Sequence, residues 1–217
     1  MTEIAISPSM SDYFRAVLEQ AIRGRNVDAS TAASGYLVGL LCDYAHPRDD
    51  AESRLNRPIT FLLRDALQAP PAERFQRLRA LGDGVLYAAG FFADHVEQSG
   101  ADRGYVLGVG ASAYRHAAAM LRVGRGDASA LEEAARHERG EARSGGGIDV
   151  LGELAEKYEC FAGVLTDVAE GTLARGARDE RSVLRLYERW RKSGSPLLAD
   201  ELGALGIVPT RGAGGVH

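Results

Sequence analysis

Residues 149–174 read DVLGELAEKYECFAGVLTDVAEGTLA. Leu151, Leu154, Ala155, Tyr158, Ala162, Leu165, Val168 and Leu173 recur there at intervals that keep one face of an α-helix apolar. A half-buried strand would alternate apolar and polar residues at every second position, which this stretch does not do. The spacing predicts one helix of about seven turns, placed centrally in the molecule.

The same period extends outward from it. Upstream, Phe14, Val17, Leu18, Ala21 and Ile22 form a stripe behind a capping-box-like start at Ser9 and Asp12. A second helix is expected over 30–46, with Leu37, Leu40, Leu41 and Tyr44 on one face and Pro47 stopping it. Residues 48–57 are charged and loop-like. Pro58 opens a third helix carrying Ile59, Leu62, Leu63, Ala66 and Leu67, and Pro70-Pro71 closes it.

Over 72–98 a long helix is expected on Phe75, Leu78, Gly82, Val85, Ala89, Phe92 and Val96. Over 101–123 another is expected on Val106, Val109, Gly110, Ala113, Ala117, Met120 and Leu121. Residues 124–147 lose the pattern and end in the flexible joint Ser144-Gly145-Gly146-Gly147. Asp179 caps a helix with Val183, Leu184, Tyr187 and Trp190, and Pro196 to Leu205 makes a short last one. The expected fold is therefore all-α, a single-domain bundle of about eight or nine helices over 1–208, with a disordered tail at 209–217.

Composition narrows the function classes. A chain of 217 residues, 45% hydrophobic and 26% charged, is long enough for one substantial core. Its net charge of −4 provides no general field to gather nucleic acid or an anionic membrane. Cys42 and Cys160 lack zinc-site or disulfide-framework spacing. The first residues, MTEIAISP, carry no basic region followed by an apolar one, and the apolar run from Val85 to Ala93 is too short for the ~20 residues of a spanning helix. A cytoplasmic location is expected. Lys occurs only at Lys157 and Lys192, with Arg supplying all other basic side chains, a coding bias without mechanism.

Acids set into apolar, glycine-rich sequence mark the middle of the chain, LGDGVLYAAGFFADH at 81–95. On a helix Asp83, Tyr87, Gly90 and Asp94 share a face, and burial there would raise carboxylate pKa values, as in general acids and ligand anchors. The commoner outcome for such acids is structural, holding neighbouring helices by buried hydrogen bonds. Taken with the next segment, they define a candidate pocket of Asp83, Tyr87, Asp94, His95, Tyr105, Ser112, Tyr114 and Arg115, between the helices at 75–98 and 101–123.

Gly108-Val109-Gly110-Ala111-Ser112-Ala113, with Glu132 and Glu133 about twenty residues on, spells G-x-G-x-x-A, the letters of a dinucleotide fingerprint. That fingerprint requires a strand before the glycines, and the flanks here have helical period. Gly100, Gly104, Gly108 and Ser112, spaced by four, are instead expected to line a small-residue face for a close helix or a flat ligand. His46, His95, His116, His137 and His217 have no metal-ligand spacing, so neither a metal nor a cofactor is expected.

Residues 175–192 hold seven basic and three acidic side chains. This is usually the wet side of an amphipathic helix. The functional alternative is a partner surface at Arg181, Arg185, Arg189 and Trp190, suited to a protein partner or self-association rather than nucleic acid.

Leu81-Gly82-Asp83, Leu86-Tyr87 and Gly90-Phe91-Phe92, then Tyr105, Gly110 and Ser112-Ala113-Tyr114, and finally Leu186 to Trp190, resemble a group of bacterial helical proteins with an LGDxxLYxxGFF-like motif and no assigned function. The resemblance covers 74–120 and 183–195 and implies kinship and a helical fold. It implies no activity and no residue roles. Two functions are thus expected to compete: a non-enzymatic regulatory or scaffolding protein acting through helix-mediated interactions, and a small-ligand binder or enzyme using the candidate pocket.

Overall fold

Ser9 and Asp12 start the first helix by exchanging hydrogen bonds. The Asp12 backbone N–H donates to Ser9 Oγ at 3.2 Å and the Ser9 N–H donates to Asp12 Oδ2 at 3.2 Å, the reciprocal cap expected from the sequence. The computed structural model describes residues 9–45, 58–93, 102–137, 149–176 and 179–209, the side chains of 123–137 excepted.

Among the described residues there are nine α-helices and no strand: α1 (Met10–Gly24), α2 (Thr31–Ala45), α3 (Ile59–Gln68), α4 (Pro71–Phe91), α5 (Arg103–His137), α6 (Val150–Glu156), α7 (Tyr158–Gly176), α8 (Glu180–Ser193) and α9 (Pro196–Ala204). The expected all-α bundle is therefore the observed one. No helix among these residues is long and apolar enough to cross a membrane. The fingerprint reading of Gly108 and Gly110 falls, because both lie inside α5 and no strand precedes them among the described residues.

The main core is shared by α1 to α7. α4 packs between α5 and α7, α6 lies on α5, and α1 lies against α2 and α7. The expected stripe of α1 is buried at Phe14, Val17, Leu18 and Ala21. Polar ties join the elements at its edge. Arg25, at the end of α1, grips Asp167 of α7 with Nε and Nη2 at 2.6 and 2.7 Å, and Arg122 of α5 holds Asp149 at the start of α6 at 2.7 Å. A smaller cluster of Ala174, Leu186, Trp190, Leu198 and Leu202 fixes α8 and α9 to the far end of α7.

Three expectations about element bounds are corrected. The central helix is interrupted at Lys157, whose φ of −101° and ψ of 25° leave the helical region. The hydrogen bonds Lys157 N–H to Glu153 O and Phe161 N–H to Lys157 O, both 3.0 Å, run through the interruption, so the apolar period survives it. The Lys157 ammonium reaches across to the Asp28 carbonyl at 2.5 Å in the turn between α1 and α2, which ties the irregular residue to a neighbour.

Next, α4 ends at Phe91, and Phe92 is exposed rather than a core residue. Finally, α5 continues to His137, beyond the expected end at Val123. Loss of an apolar stripe removes a burial signal, not helix propensity, and Ala128, Ala130, Leu131, Glu132, Glu133, Ala134 and Ala135 are mostly strong helix formers. The expectations for 48–57, Asp94, His95, Val96, Gly100, the joint at 144–147 and the tail from 210 lie outside the described residues.

Candidate functional site

Four residues apart on α4, Arg79, Asp83, Tyr87 and Phe91 fall on one helix face, and all four are half-buried. Tyr36, Leu40 and Tyr44 make the matching stripe on α2. The polar end of this arrangement centres on Asp83. Its Oδ1 accepts two hydroxyl hydrogen bonds at 2.6 Å, one from Tyr36 of α2 and one from Tyr114 of α5. Arg79 Nε donates to the Tyr36 hydroxyl at 3.1 Å and stands 3.5 Å from Asp83 Oδ2. The guanidinium also lies over the Tyr36 ring, 5.5 Å from its centroid.

Glycines admit the tyrosines. Tyr114 is fully buried, and a Cβ on Gly82 would collide with its ring. One turn before Tyr114, a Cβ on Gly110 would overlap the Tyr158 hydroxyl and approach Val85 to 2.8 Å. That hydroxyl donates to the Gly82 carbonyl at 2.7 Å, so α7 is latched to α4 directly beside the carboxylate. The rings meet edge to face, Tyr36 on Tyr114 at 6.3 Å and Tyr114 on Tyr158 at 5.6 Å.

Burial pushes the Asp83 carboxyl above the usual carboxylate range. The hydroxyls of Tyr114 and Tyr36 and the Arg79 guanidinium oppose that rise without cancelling it. Burial, reinforced by the Asp83 charge, also raises Tyr36, Tyr114 and Tyr158. At neutral pH the three phenols are therefore protonated hydrogen-bond donors. Toward the other end of the face the character turns apolar. Tyr44 stacks on Tyr87 at 4.5 Å, Tyr87 stacks on Phe91 at 4.6 Å, and Phe92 meets Tyr87 edge on at 5.8 Å.

Of the pocket residues expected from sequence, the structure brings together Asp83, Tyr87 and Tyr114. It does not bring in Tyr105, Ser112 or Arg115. With Gly108 these form the stripe of α5 opposite Val106, Gly110, Ala113 and Ala117: Tyr105 and Arg115 are exposed and Ser112 is half-buried. The Tyr105 hydroxyl donates to Thr60 Oγ1 at 3.3 Å instead. The expected small-residue face fails for the same reason, since Gly104 and Gly108 are exposed and nothing approaches the Cβ position of Gly108. Asp94 and His95 lie outside the described residues, and His116 is exposed.

Sequence reasoning missed Tyr36, Tyr44, Arg79 and Tyr158 as site residues. Arg79 carried a signal, standing four residues before Asp83 as an ion-pair partner would.

The candidate partner surface is divided. Arg181 and Arg185 are exposed beside Leu184, which is 57% accessible. Trp190 is only 6% accessible and belongs to the core of α8 and α9. Arg189 also turns inward, with its Nε 3.7 Å from Glu170 Oε1 on α7, a carboxylate side chain 3% accessible. The buried face of α8 runs through Ser182, Leu186 and Trp190, which rotates Leu184 out and Trp190 in.

Among the described residues, no group of three or more His, Cys, Asp or Glu side chains is arranged to hold a metal ion. No protein-family model, no curated protein and no solved structure matches the chain.

Proposed function

We propose that this chain is a small-ligand-binding protein whose site is the half-open face between α2 and α4, polar at Arg79 and Asp83 and aromatic at Tyr44, Tyr87 and Phe91. The observation that carries the reading is the uneven use of the Asp83 carboxylate. A structural staple needs one acceptor oxygen, and Oδ1 serves both tyrosines. The second oxygen meets only Arg79, at 3.5 Å, and the terminal nitrogens of Arg79 have no hydrogen-bond partner among the described residues. Asp83 and Arg79 side chains are 15% and 41% accessible, so the pair lies at the edge of the packed face, Arg79 outermost.

The reading is of binding rather than turnover. The tyrosine hydroxyls are committed as donors, and their raised pKa values keep them protonated at neutral pH, so they neither release a proton readily nor offer a phenolate base. Cytoplasmic residence belongs to the same reading and is supported by Cys42 and Cys160, which form no disulfide. Native mass spectrometry of freshly purified protein tests it. A small mass retained by the wild type and lost in Arg79→Gln supports the site, and a mass retained equally by both variants contradicts it.

A second reading, docking of an acidic protein segment on α8, is favoured by the exposed Arg181, Leu184 and Arg185 face. The inward turn of Arg189 and Trp190 removes the aromatic half of the surface expected there, so this reading ranks second.

A further inference from the structure

Building on the binding reading above, we infer that the polar end of the α2–α4 face takes the zwitterionic head of a free α-amino acid, whose aromatic or large aliphatic side chain lies toward Tyr44, Tyr87 and Phe91. The open groups on the face are of two kinds. The guanidinium of Arg79 presents terminal N–H groups in the planar fork that matches a carboxylate. Asp83 Oδ2 is a charged acceptor suited to an ammonium. The two stand 3.5 Å apart, Nε to Oδ2.

That proximity selects the ligand. A simple anion drawn to Arg79 would sit against the Asp83 charge, and a simple cation drawn to Asp83 would sit against Arg79. A head carrying both charges two bonds apart sets each charge nearer to its opposite than to its like, so attraction outweighs repulsion at this pair. The depths order it: Asp83, the more enclosed side chain, receives the ammonium, and Arg79 at the rim receives the carboxylate.

Side-chain selectivity follows from the helix repeat. Tyr87 lies one turn from Asp83, about 5.4 Å along α4, and Phe91 lies one turn further. A side chain of the length of phenylalanine or leucine, leaving the head along the helix, comes against Tyr87, the near member of the stack with Tyr44 and Phe91. Short side chains do not reach it.

Isothermal titration calorimetry of the full chain with L-phenylalanine, L-alanine, phenethylamine and 3-phenylpropanoate tests this. L-phenylalanine is expected to bind, and each of the other three at least tenfold more weakly. Arg79→Gln, a rim substitution, is expected to weaken L-phenylalanine at least tenfold while phenethylamine, relieved of the Arg79 charge, binds no more weakly than before, with circular dichroism confirming the helical fold. Phenethylamine or 3-phenylpropanoate binding as tightly as the amino acid overturns the zwitterion assignment and leaves the binding face standing. No heat with L-phenylalanine overturns the amino-acid assignment, and the binding face then stands only if native mass spectrometry finds another retained molecule that Arg79→Gln releases. L-phenylalanine bound with equal strength by wild type and Arg79→Gln overturns both.

Discussion

The Tyr114 hydroxyl in α5 donates to Asp83 Oδ1 in α4 at 2.6 Å, joining two positions 31 residues apart at a fully buried ring. Tyr36 shares that oxygen from α2, so one carboxylate sets the relative placement of three helices. The same contact also holds Asp83 in the orientation that leaves Oδ2 toward Arg79.

Tyr114→Phe removes one donor and leaves Tyr36 as the other. Because the Tyr114 hydroxyl lowers the Asp83 pKa, its loss raises that pKa further. The destabilisation expected for a hydrogen bond to a charged group is about 1.5–3 kcal/mol. Urea unfolding measures the second quantity, and carbon-detected NMR titration of the Asp83 carboxyl measures the first. An unchanged or lowered Asp83 pKa would contradict the arrangement.

Asp83 also imposes a pH dependence on stability. Its folded pKa is raised above the ordinary 3.8, so between the two values the folded state holds a proton that the unfolded state has lost. The site's contribution is full below the unfolded pKa and declines as pH rises through the folded one. In unfolding measurements from about pH 4 to about pH 7, the stability of the wild type relative to Asp83→Asn is expected to fall with rising pH. A flat difference would mean that Asp83 titrates normally.

Two glycines one turn-half apart on α5 are expected to respond with opposite sign. At Gly110 a methyl would strike the Tyr158 hydroxyl, which cannot swing away without leaving the Gly82 carbonyl, so Gly110→Ala is expected to cost about 1–3 kcal/mol. At Gly108 nothing lies within reach, and Gly108→Ala is expected to stabilise by about 0.5–1 kcal/mol through helix propensity. Thermal unfolding of the two single variants decides the matter, and equal shifts would refute the placement of α5.

Glu170 and Arg189 connect α7 to α8 through a pair whose side chains are 3% and 15% accessible. Arg189→Met, which strands the carboxylate, is expected to cost about 3–5 kcal/mol. Adding Glu170→Gln to it is expected to restore part of the loss, because the stranded charge is then gone. A double variant less stable than Arg189→Met alone would show that the pair is not the dominant interaction there.

Much of this architecture is written locally. The stripe of α1, the Ser9–Asp12 cap, Pro58 and the Pro70-Pro71 step all act within a turn or two, and each stands where its chemistry predicts. The break at Lys157 was not legible, because the apolar period runs through it unchanged, and its side-chain contact with Asp28 joins residues 129 positions apart. The site divides the same way. Asp83, Tyr87 and Tyr114 stood out as polar groups in apolar helix faces. Tyr105 and Arg115 stood out as letters, yet successive residues on a helix point about 100° apart, so Arg115 faces outward where Tyr114 faces in. Tyr36 and Tyr158 reach the Asp83 region from other helices, 47 positions from Asp83 and 76 from Gly82, and no local pattern records such a meeting.

Backbone amide NMR of the labelled chain, before and after addition of L-phenylalanine, bears most directly on the binding face. Shift changes concentrated at residues 36–44 and 79–91, and absent from an Arg79→Gln sample, are the predicted result. Changes that map to α8, or a spectrum indifferent to the amino acid and to small molecules extracted from the purified protein, would contradict it.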